Sequence, residues 1–181
     1  TSPKETMLIG DSHLISWAPV LDKVLQQRGE QAILAMLSNC PPMIGVVKWG
    51  KRNTCPNKSA AVQNYIVSHP EIKTIIIIGF WSPYFKDNVP LTITTYEGYT
   101  ASGSGAAHKG LTSTLQWLQE KGKNTILLGP VPVYEKSVPM LQALGSSYNR
   151  NFLLSNKEEQ LKKNGTFIEL VNSFKSKPRF H

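Results

Sequence analysis

The sequence has no apolar run that approaches the roughly 20 residues a membrane-spanning helix requires. Its first residues, Thr1-Ser2-Pro3-Lys4-Glu5, also lack the apolar core of a signal peptide, and they predict a linker over residues 1–5. The chain has 181 residues, 40% of them hydrophobic, which is enough for one core. We therefore predict a single domain over residues 6–181, whose export would depend on a segment upstream of it.

Cysteine is scarce, with Cys40 and Cys55 as the only two, each beside proline and both in one predicted loop. A disulfide closing this loop would stabilise the fold by about 3 kcal/mol in the chain-entropy model. Two unrelated buried thiols fit the sequence about equally well. Fourteen residues separate the cysteines, with no histidine or Cys-x-x-Cys nearby, so we expect no zinc site.

Acidic residues are few, since 12 Asp and Glu stand against 20 Lys and Arg and leave a net charge of +8. Such a balance favours anionic partners, which could be nucleic acid, a phospholipid surface or an acidic glycan. The basic residues are scattered, however, with no run longer than Lys162-Lys163, so a solvated surface is the simpler interpretation. No P-loop or Gly-x-Gly-x-x-Gly follows any apolar strand. We expect no nucleic-acid partner, no metal and no cofactor.

What the chain does contain is an alternation of apolar strands and amphipathic helices. The strands are nearly continuous runs of Ile and Leu, a pattern typical of strands buried on both faces of a parallel sheet. The β-α-β-α-β-α-β-α order predicts a three-layer α/β/α domain with a doubly wound, mostly parallel sheet. The predicted strands cover residues 7–9, 32–37, 74–78 and 125–128, and the predicted helices cover residues 17–28, 59–68, 108–121 and 156–174.

Two long segments, residues 38–58 and 81–105, interrupt this alternation and are predicted to be irregular. Both follow strands, so both should overhang one sheet edge, and long structureless loops in compact domains are usually functional or mobile. Residues 177–181 stand where a fifth strand would begin. We therefore expect the sheet to be truncated before or within its last strand.

The most specific chemical feature is Gly10-Asp11-Ser12-His13, directly after the first strand. A strand that ends in Gly-Asp-Ser places the serine on a tight turn at the carboxyl edge of the sheet, where open α/β folds build their sites. The following helix would point free N–H groups and its positive dipole end at this serine. Ser12 is therefore a candidate nucleophile. The alternative is that Asp11 or Ser12 only caps the helix.

With these residues the chain resembles the SGNH (GDSL-like) hydrolase superfamily. More narrowly, it is similar to the periplasmic SGNH domain fused to bacterial membrane acyltransferases that O-acetylate surface polysaccharides. The resemblance extends over most of the chain in the order of the family. The matching segments are Gly10-Asp11-Ser12-His13, the loop with Cys40-Pro41-Pro42 and Cys55, Ile75-Ile76-Ile77-Ile78-Gly79-Phe80-Trp81-Ser82, and Leu127-Leu128-Gly129-Pro130-Val131-Pro132.

This resemblance implies a flavodoxin-like SGNH fold in which Ser12 is the nucleophile and its own N–H donates to the oxyanion. One such donor is worth roughly 3 kcal/mol in the transition state. The resemblance also implies the periplasm, where a Cys40–Cys55 disulfide would persist. Asp11 is assigned to holding the turn rather than to proton transfer.

In the superfamily, a glycine after the second strand and an asparagine after the third complete the oxyanion hole. Here the second loop offers Ser38 and Asn39 instead, and Trp81, two residues after Gly79, stands where the asparagine is expected. Trp81 could line an acyl or sugar pocket, or it could be a core residue.

The catalytic base departs further from the family. Serine needs a base, and the superfamily takes it from an Asp-x-x-His block after the fifth strand, which these residues lack. His13 adjoins Ser12, but neighbouring side chains on a turn generally diverge, so a structural or substrate-contacting role is expected. His69 and His108 are expected on the surface, and His181 could begin the fifth strand. The resemblance implies that the block lies downstream and that these residues alone are catalytically incomplete.

The leading hypothesis is serine-dependent acetyl transfer to a bacterial surface carbohydrate, such as lipopolysaccharide O antigen, through an acyl-enzyme on Ser12. A membrane acyltransferase domain of the same polypeptide would donate the acyl group, and the SGNH domain would be tethered in the periplasm to the inner membrane. One alternative is a carbohydrate esterase or lipase of the same fold, with water as acceptor. Another is a non-catalytic glycan-binding domain that kept the fold without the base.

Overall fold

Helices and strands alternate along the chain in the computed structural model, which describes residues 4–51, 54–86, 88–132, 134, 138–148 and 157–181. In this part of the chain, no helix is both long and apolar enough to cross a membrane. The elements in chain order are β1 (Thr6–Gly10), α1 (His13–Gln27), β2 (Ala32–Met36), β3 (Val46–Trp49), α2 (Cys55–Ser68), β4 (Thr74–Ile78), α3 (Trp81–Tyr84), β5 (Leu91–Thr94), β6 (Thr100–Ser102), α4 (Ser104–Glu120), β7 (Asn124–Leu127), α5 (Val138–Tyr148), α6 (Lys157–Lys163) and α7 (Gly165–Phe174).

The main sheet is parallel and has the strand order β2-β1-β4-β7. These are the four strands that the apolar runs predict, so the predicted parallel sheet is confirmed. The register aligns Gly10 at the end of β1 with Met36 of β2 and Ile78 of β4. The loops that leave these three strands therefore begin side by side at one edge of the sheet.

Alternate side chains of β1 and β4 enter two separate cores. One face of the sheet carries a large core to which the helices α2, α4 and α7 contribute. The other face carries a smaller core that includes Leu14 of α1. Helices therefore cover both faces, and the predicted three-layer architecture is confirmed. The residues of β1 and β4 in the large core are Met7, Ile9, Ile75 and Ile77, and those in the smaller core are Leu8, Ile76 and Ile78.

The prediction of two irregular segments at 38–58 and 81–105 was wrong, because both contain strands. Strands β3, β5 and β6 form a second, antiparallel sheet in the order β3-β5-β6. Leu91 and Ile93 are buried and alternate with two threonines, a period-2 pattern typical of a half-buried strand. Gly45 permits the close approach at the edge of this sheet, since a Cβ there would lie 1.9 Å from the Thr94 carbonyl oxygen.

The single helix predicted for residues 156–174 is two helices, α6 and α7, with residue 156 outside the described residues. Asn164 lies at the break and is buried. Its Nδ2 donates to the Gln160 carbonyl at 2.8 Å, and its Oδ1 accepts from the Ser82 hydroxyl at 2.6 Å. A buried polar contact with α3 therefore fixes the point at which the helix breaks. The other three predicted helices exist but begin earlier than predicted, at His13, Cys55 and Ser104.

The last residues of the chain extend the main sheet beyond β7. Phe180 forms a parallel bridge with Thr125. The His181 N–H donates to the Thr125 carbonyl at 2.8 Å, and the Leu127 N–H donates to the His181 carbonyl at 3.0 Å. His181 thus lies where a fifth parallel strand begins, as the sequence predicts.

A disulfide joins Cys40 to Cys55, with their Cα atoms 5.5 Å apart. It connects the loop after β2 to the first residue of α2, and both cysteines are buried. The interpretation as two unrelated thiols is therefore wrong. A closed loop of this length contributes about 3 kcal/mol to stability in the chain-entropy model. The domain boundary at residue 6 stays a prediction.

Candidate active site

Ser12 lies at the carboxyl edge of the main sheet, on the turn between β1 and α1. Its side chain is exposed and, within the described residues, makes no hydrogen bond, so its hydroxyl does not cap α1. The turn can form here because Gly10 has no side chain. A Cβ on Gly10 would lie 2.5 Å from the Ile78 carbonyl oxygen and 2.8 Å from Cβ of Leu14. The close packing of β1, β4 and α1 therefore requires glycine directly before the turn formed by Asp11 and Ser12, which we call the serine turn.

Asp11 stabilises this turn from the interior of the protein. Its side chain is buried, and its carboxylate accepts hydrogen bonds from three donors. They are the His13 N–H at 2.8 Å, the Phe80 N–H at 2.7 Å and the Tyr84 hydroxyl at 2.6 Å. Hydrogen bonds to an ionised acceptor are the strong ones. The carboxylate thus fastens the start of α1 to the loop after β4 and to α3, which fits the positioning role expected of Asp11.

Replacing Tyr84 by phenylalanine is expected to reduce the free energy of unfolding by about 2 kcal/mol, because a buried carboxylate loses a hydroxyl donor. Urea unfolding followed by fluorescence measures the loss. Tyr99→Phe is the matched control, since Tyr99 is 72% exposed and its hydroxyl should contribute little. Equal unfolding midpoints for the two variants would contradict this role of Tyr84.

His13 lies beside the same carboxylate. Its imidazole stacks on the Phe80 ring, with centroids 4.4 Å apart and an interplanar angle of 19°. Nδ1 is 3.3 Å from Oδ1 of Asp11 and is buried, without a hydrogen bond of good geometry to any described residue. The side chain as a whole is 29% exposed. His13 and Phe80 therefore form a partly exposed ring pair on the β4 side of the serine turn.

Ser38 and Asn39 lie at the same sheet edge, on the β2 side. The Leu37 N–H donates to the Gly10 carbonyl at 2.7 Å, which joins their loop to the serine turn. The loop reverses with Asn39 at φ 59°, and the Lys58 ammonium donates to the Ser38 carbonyl at 3.2 Å. The structure therefore brings these two residues to the edge that carries Ser12. Their role as oxyanion donors stays a prediction.

The structure places Trp81 in the core, which is one of the two interpretations open from the sequence. Its side chain is fully buried, stacks on Phe167 and donates from Nε1 to the Leu128 carbonyl at 2.7 Å. A side chain with no accessible surface cannot line a pocket. Gly79 is also buried, where a Cβ would lie 3.0 Å from Pro42 and 3.2 Å from the indole of Trp81. Both residues therefore lie in the packed interior next to the sheet edge that carries Ser12.

The remaining histidines are not joined to the serine turn. Within the described residues, His69, His108 and His181 make no hydrogen bond, ion pair or ring contact with residues 10–13. His69 stacks on Tyr65 after α2, and His108 is exposed on α4. Of the four histidines, only His13 therefore lies at the turn that carries Ser12.

Sequence reasoning missed Phe80 and Tyr84 as members of the site. The signal for Phe80 was its position two residues after the end of β4, since functional residues of parallel sheets cluster at strand ends. Tyr84 gave no such signal, because it lies in a segment predicted to be irregular, 73 residues from its partner Asp11.

Comparison with known proteins bears on this arrangement. A family model described as "SGNH domain (fused to AT3 domains)" matches residues 1–179. Among solved structures, the chain is similar to the periplasmic domain of a lipopolysaccharide acetyltransferase from Salmonella ser. Paratyphi A, with a TM-score of 0.61 and 17% identity. The match covers 96% of this chain and 64% of that one, so the chain spans less than two thirds of the neighbour's length. No curated protein matches the chain by sequence.

Proposed function

The chain belongs to the family of SGNH domains that are fused to AT3 domains, and from this premise we propose that it transfers acetyl groups to a bacterial surface polysaccharide. The observation that carries the proposal is Ser12, exposed on a turn that Gly10 and the buried Asp11 hold at the carboxyl edge of the sheet. The solved neighbour, a lipopolysaccharide acetyltransferase, has the same fold and supports this class of substrate.

In the proposed reaction, the Ser12 hydroxyl attacks the carbonyl carbon of an acetyl donor and loses its proton to a base. The bond to the donor's leaving group breaks, and the base returns the proton to that group. This leaves an acetyl ester on Ser12. A sugar hydroxyl then attacks the ester, its proton passes through the base to Ser12, and the acetylated sugar departs. The N–H of Ser12 donates to the oxyanion in both steps.

The base is the part of the proposal that these 181 residues do not supply. They contain no Asp-x-x-His, and we assign the base to such a block downstream of residue 181. The membrane AT3 domain of the same polypeptide would deliver the acetyl group, with residues 1–5 as a linker to the SGNH domain. This arrangement places the domain in the periplasm, a compartment in which the Cys40–Cys55 disulfide persists.

Two alternatives remain distinct from this proposal. If water rather than a sugar reaches the acetyl ester, the protein is an esterase. If no base completes the site, it is a glycan-binding domain. The absence of Asp-x-x-His from these residues is the observation that favours the second alternative.

The test is to trap the acyl-enzyme. Full-length protein is mixed with p-nitrophenyl acetate, quenched in acid and digested, and the acetylated peptide is sequenced by mass spectrometry. We expect one acetyl group on Ser12, which added de-O-acetylated lipopolysaccharide removes as acetylated sugar. Release only as acetate would favour the esterase. A protein that never carries the group on Ser12 would refute the nucleophile.

A further inference from the structure

His13 and Phe80 form a ring pair next to the proposed nucleophile, and neither has a role in the acetyl transfer proposed above. His13 is the first residue of α1 and directly follows Ser12. Its ring stacks on the parallel face of Phe80, and its backbone N–H is held by the Asp11 carboxylate. A side chain held in this way is preorganised for a contact at the site.

The environment of Nδ1 decides which ring nitrogen can accept a hydrogen bond. Nδ1 is buried 3.3 Å from Oδ1 of Asp11. A lone pair facing a carboxylate at this distance is repelled, whereas an N–H is attracted, which favours the tautomer with its hydrogen on Nδ1. Nε2 then has the free lone pair. Nε2 makes no hydrogen bond with a described residue either, but of the two ring nitrogens only Nδ1 is buried.

Phe80 supplies an apolar surface beside His13, which is the second feature expected of a carbohydrate-binding site. Its ring is partly buried against His13 and lies at the end of β4, at the same edge as Ser12. An aromatic face is an apolar surface on which the C–H groups of a sugar ring can pack, while a neighbouring nitrogen orients one hydroxyl. The pair therefore offers both elements that a sugar requires.

We infer that His13 and Phe80 bind the acceptor sugar, with Nε2 of His13 accepting a hydrogen bond from a hydroxyl group adjacent to the one that becomes acetylated. This inference rests on the proposed function and adds the residues that select a sugar over water. The hydroxyl that becomes acetylated is thus left free to donate its proton to the base. When its oxygen bonds to the acetyl carbon and the bond to Ser12 Oγ breaks, the proton leaves the sugar for the base and ends on Ser12.

The test compares two amide replacements of His13 in the full-length protein. In His13→Asn the amide lies near the position of Nδ1 and nothing replaces Nε2, whereas in His13→Gln the amide reaches the position of Nε2. The measured quantity is the ratio of acetyl groups transferred to de-O-acetylated lipopolysaccharide to acetyl groups released as acetate, after loading with p-nitrophenyl acetate. This ratio does not depend on how much acyl-enzyme forms.

We expect the ratio to fall at least tenfold in His13→Asn and to remain within about threefold of wild type in His13→Gln. Phe80→Leu should raise the acceptor KM several-fold. Equal losses in the Asn and Gln variants, or an unchanged ratio in His13→Asn, would overturn the inference and leave the acyl-enzyme proposal standing. A wild-type protein that never acetylates Ser12 would overturn both.

Discussion

Replacing Ser12 by alanine is expected to lower the rate of acetyl turnover by roughly four orders of magnitude or more. The variant has no oxygen that can form the acyl-enzyme, and the oxyanion donors alone retain only a small part of catalysis. Release of p-nitrophenol by the full-length protein under saturating p-nitrophenyl acetate measures the loss. Since the change removes a step of the reaction, kcat should fall much more than KM rises.

The same substitution should leave the fold unaffected. The Ser12 side chain is exposed and makes no hydrogen bond with a described residue, so its removal should change the free energy of unfolding by less than about 0.5 kcal/mol. Ser16→Ala is the control, because Ser16 is also exposed and lies one turn later on α1. Turnover by Ser12→Ala equal to that of Ser16→Ala would place the nucleophile elsewhere.

Replacing Gly10 by alanine should produce the largest loss of stability among the substitutions considered, about 3 kcal/mol, at the upper end of the usual overpacking range. The added methyl group would lie 2.5 Å from the Ile78 carbonyl oxygen. That oxygen belongs to β4, a central strand held by β1 and β7 on either side, so it cannot withdraw cheaply. On the other side, Cβ of Leu14 would be 2.8 Å away, which pushes α1 and the serine turn outward.

Gly105→Ala provides the matched control. It adds the same methyl group in the first turn of α4, where no atom lies within 4 Å of the new Cβ. There the change should be neutral or should stabilise by up to about 1 kcal/mol, because alanine loses less backbone entropy than glycine in a helix. Urea midpoints measured side by side compare the two. A Gly10→Ala protein as stable as Gly105→Ala would show that the three elements do not meet as tightly as described.

The sequence predicts the main sheet well because burial of the central strands β1 and β4 on both faces leaves a direct trace, although the edge strand β2 is only half buried. β4 is apolar from Ile75 to Ile78, and the alternation of such strands with helices restricts the order and direction of the sheet. The second sheet left a weaker trace. β3 and β6 have only 4 and 3 residues, and β3 pairs with β5, a strand that is distant in the sequence.

The candidate site divides in the same way. Gly10-Asp11-Ser12-His13 could be found from the sequence, since a glycine, a turn-forming carboxylate and a serine after an apolar strand are local features. The surroundings of this segment could not be found from it. Trp81 is a core residue because the indole meets Phe167 and the Leu128 carbonyl, and neither contact is encoded near residue 81.

The sequence by itself therefore determined the sheet, the strand that carries Ser12 and the tight turn that exposes it. Only the tertiary structure decided what holds that turn. Asp11 accepts hydrogen bonds from Phe80 and Tyr84, which are 69 and 73 residues away in the chain. Ser82 donates a hydrogen bond to Asn164, which is 82 residues away. Local propensity is set by neighbouring residues, whereas these pairs depend on the register of β1 against β4 and on where α7 packs. The short segment Gly10-Asp11-Ser12-His13 thus carries the proposed nucleophile, and the packed fold positions it.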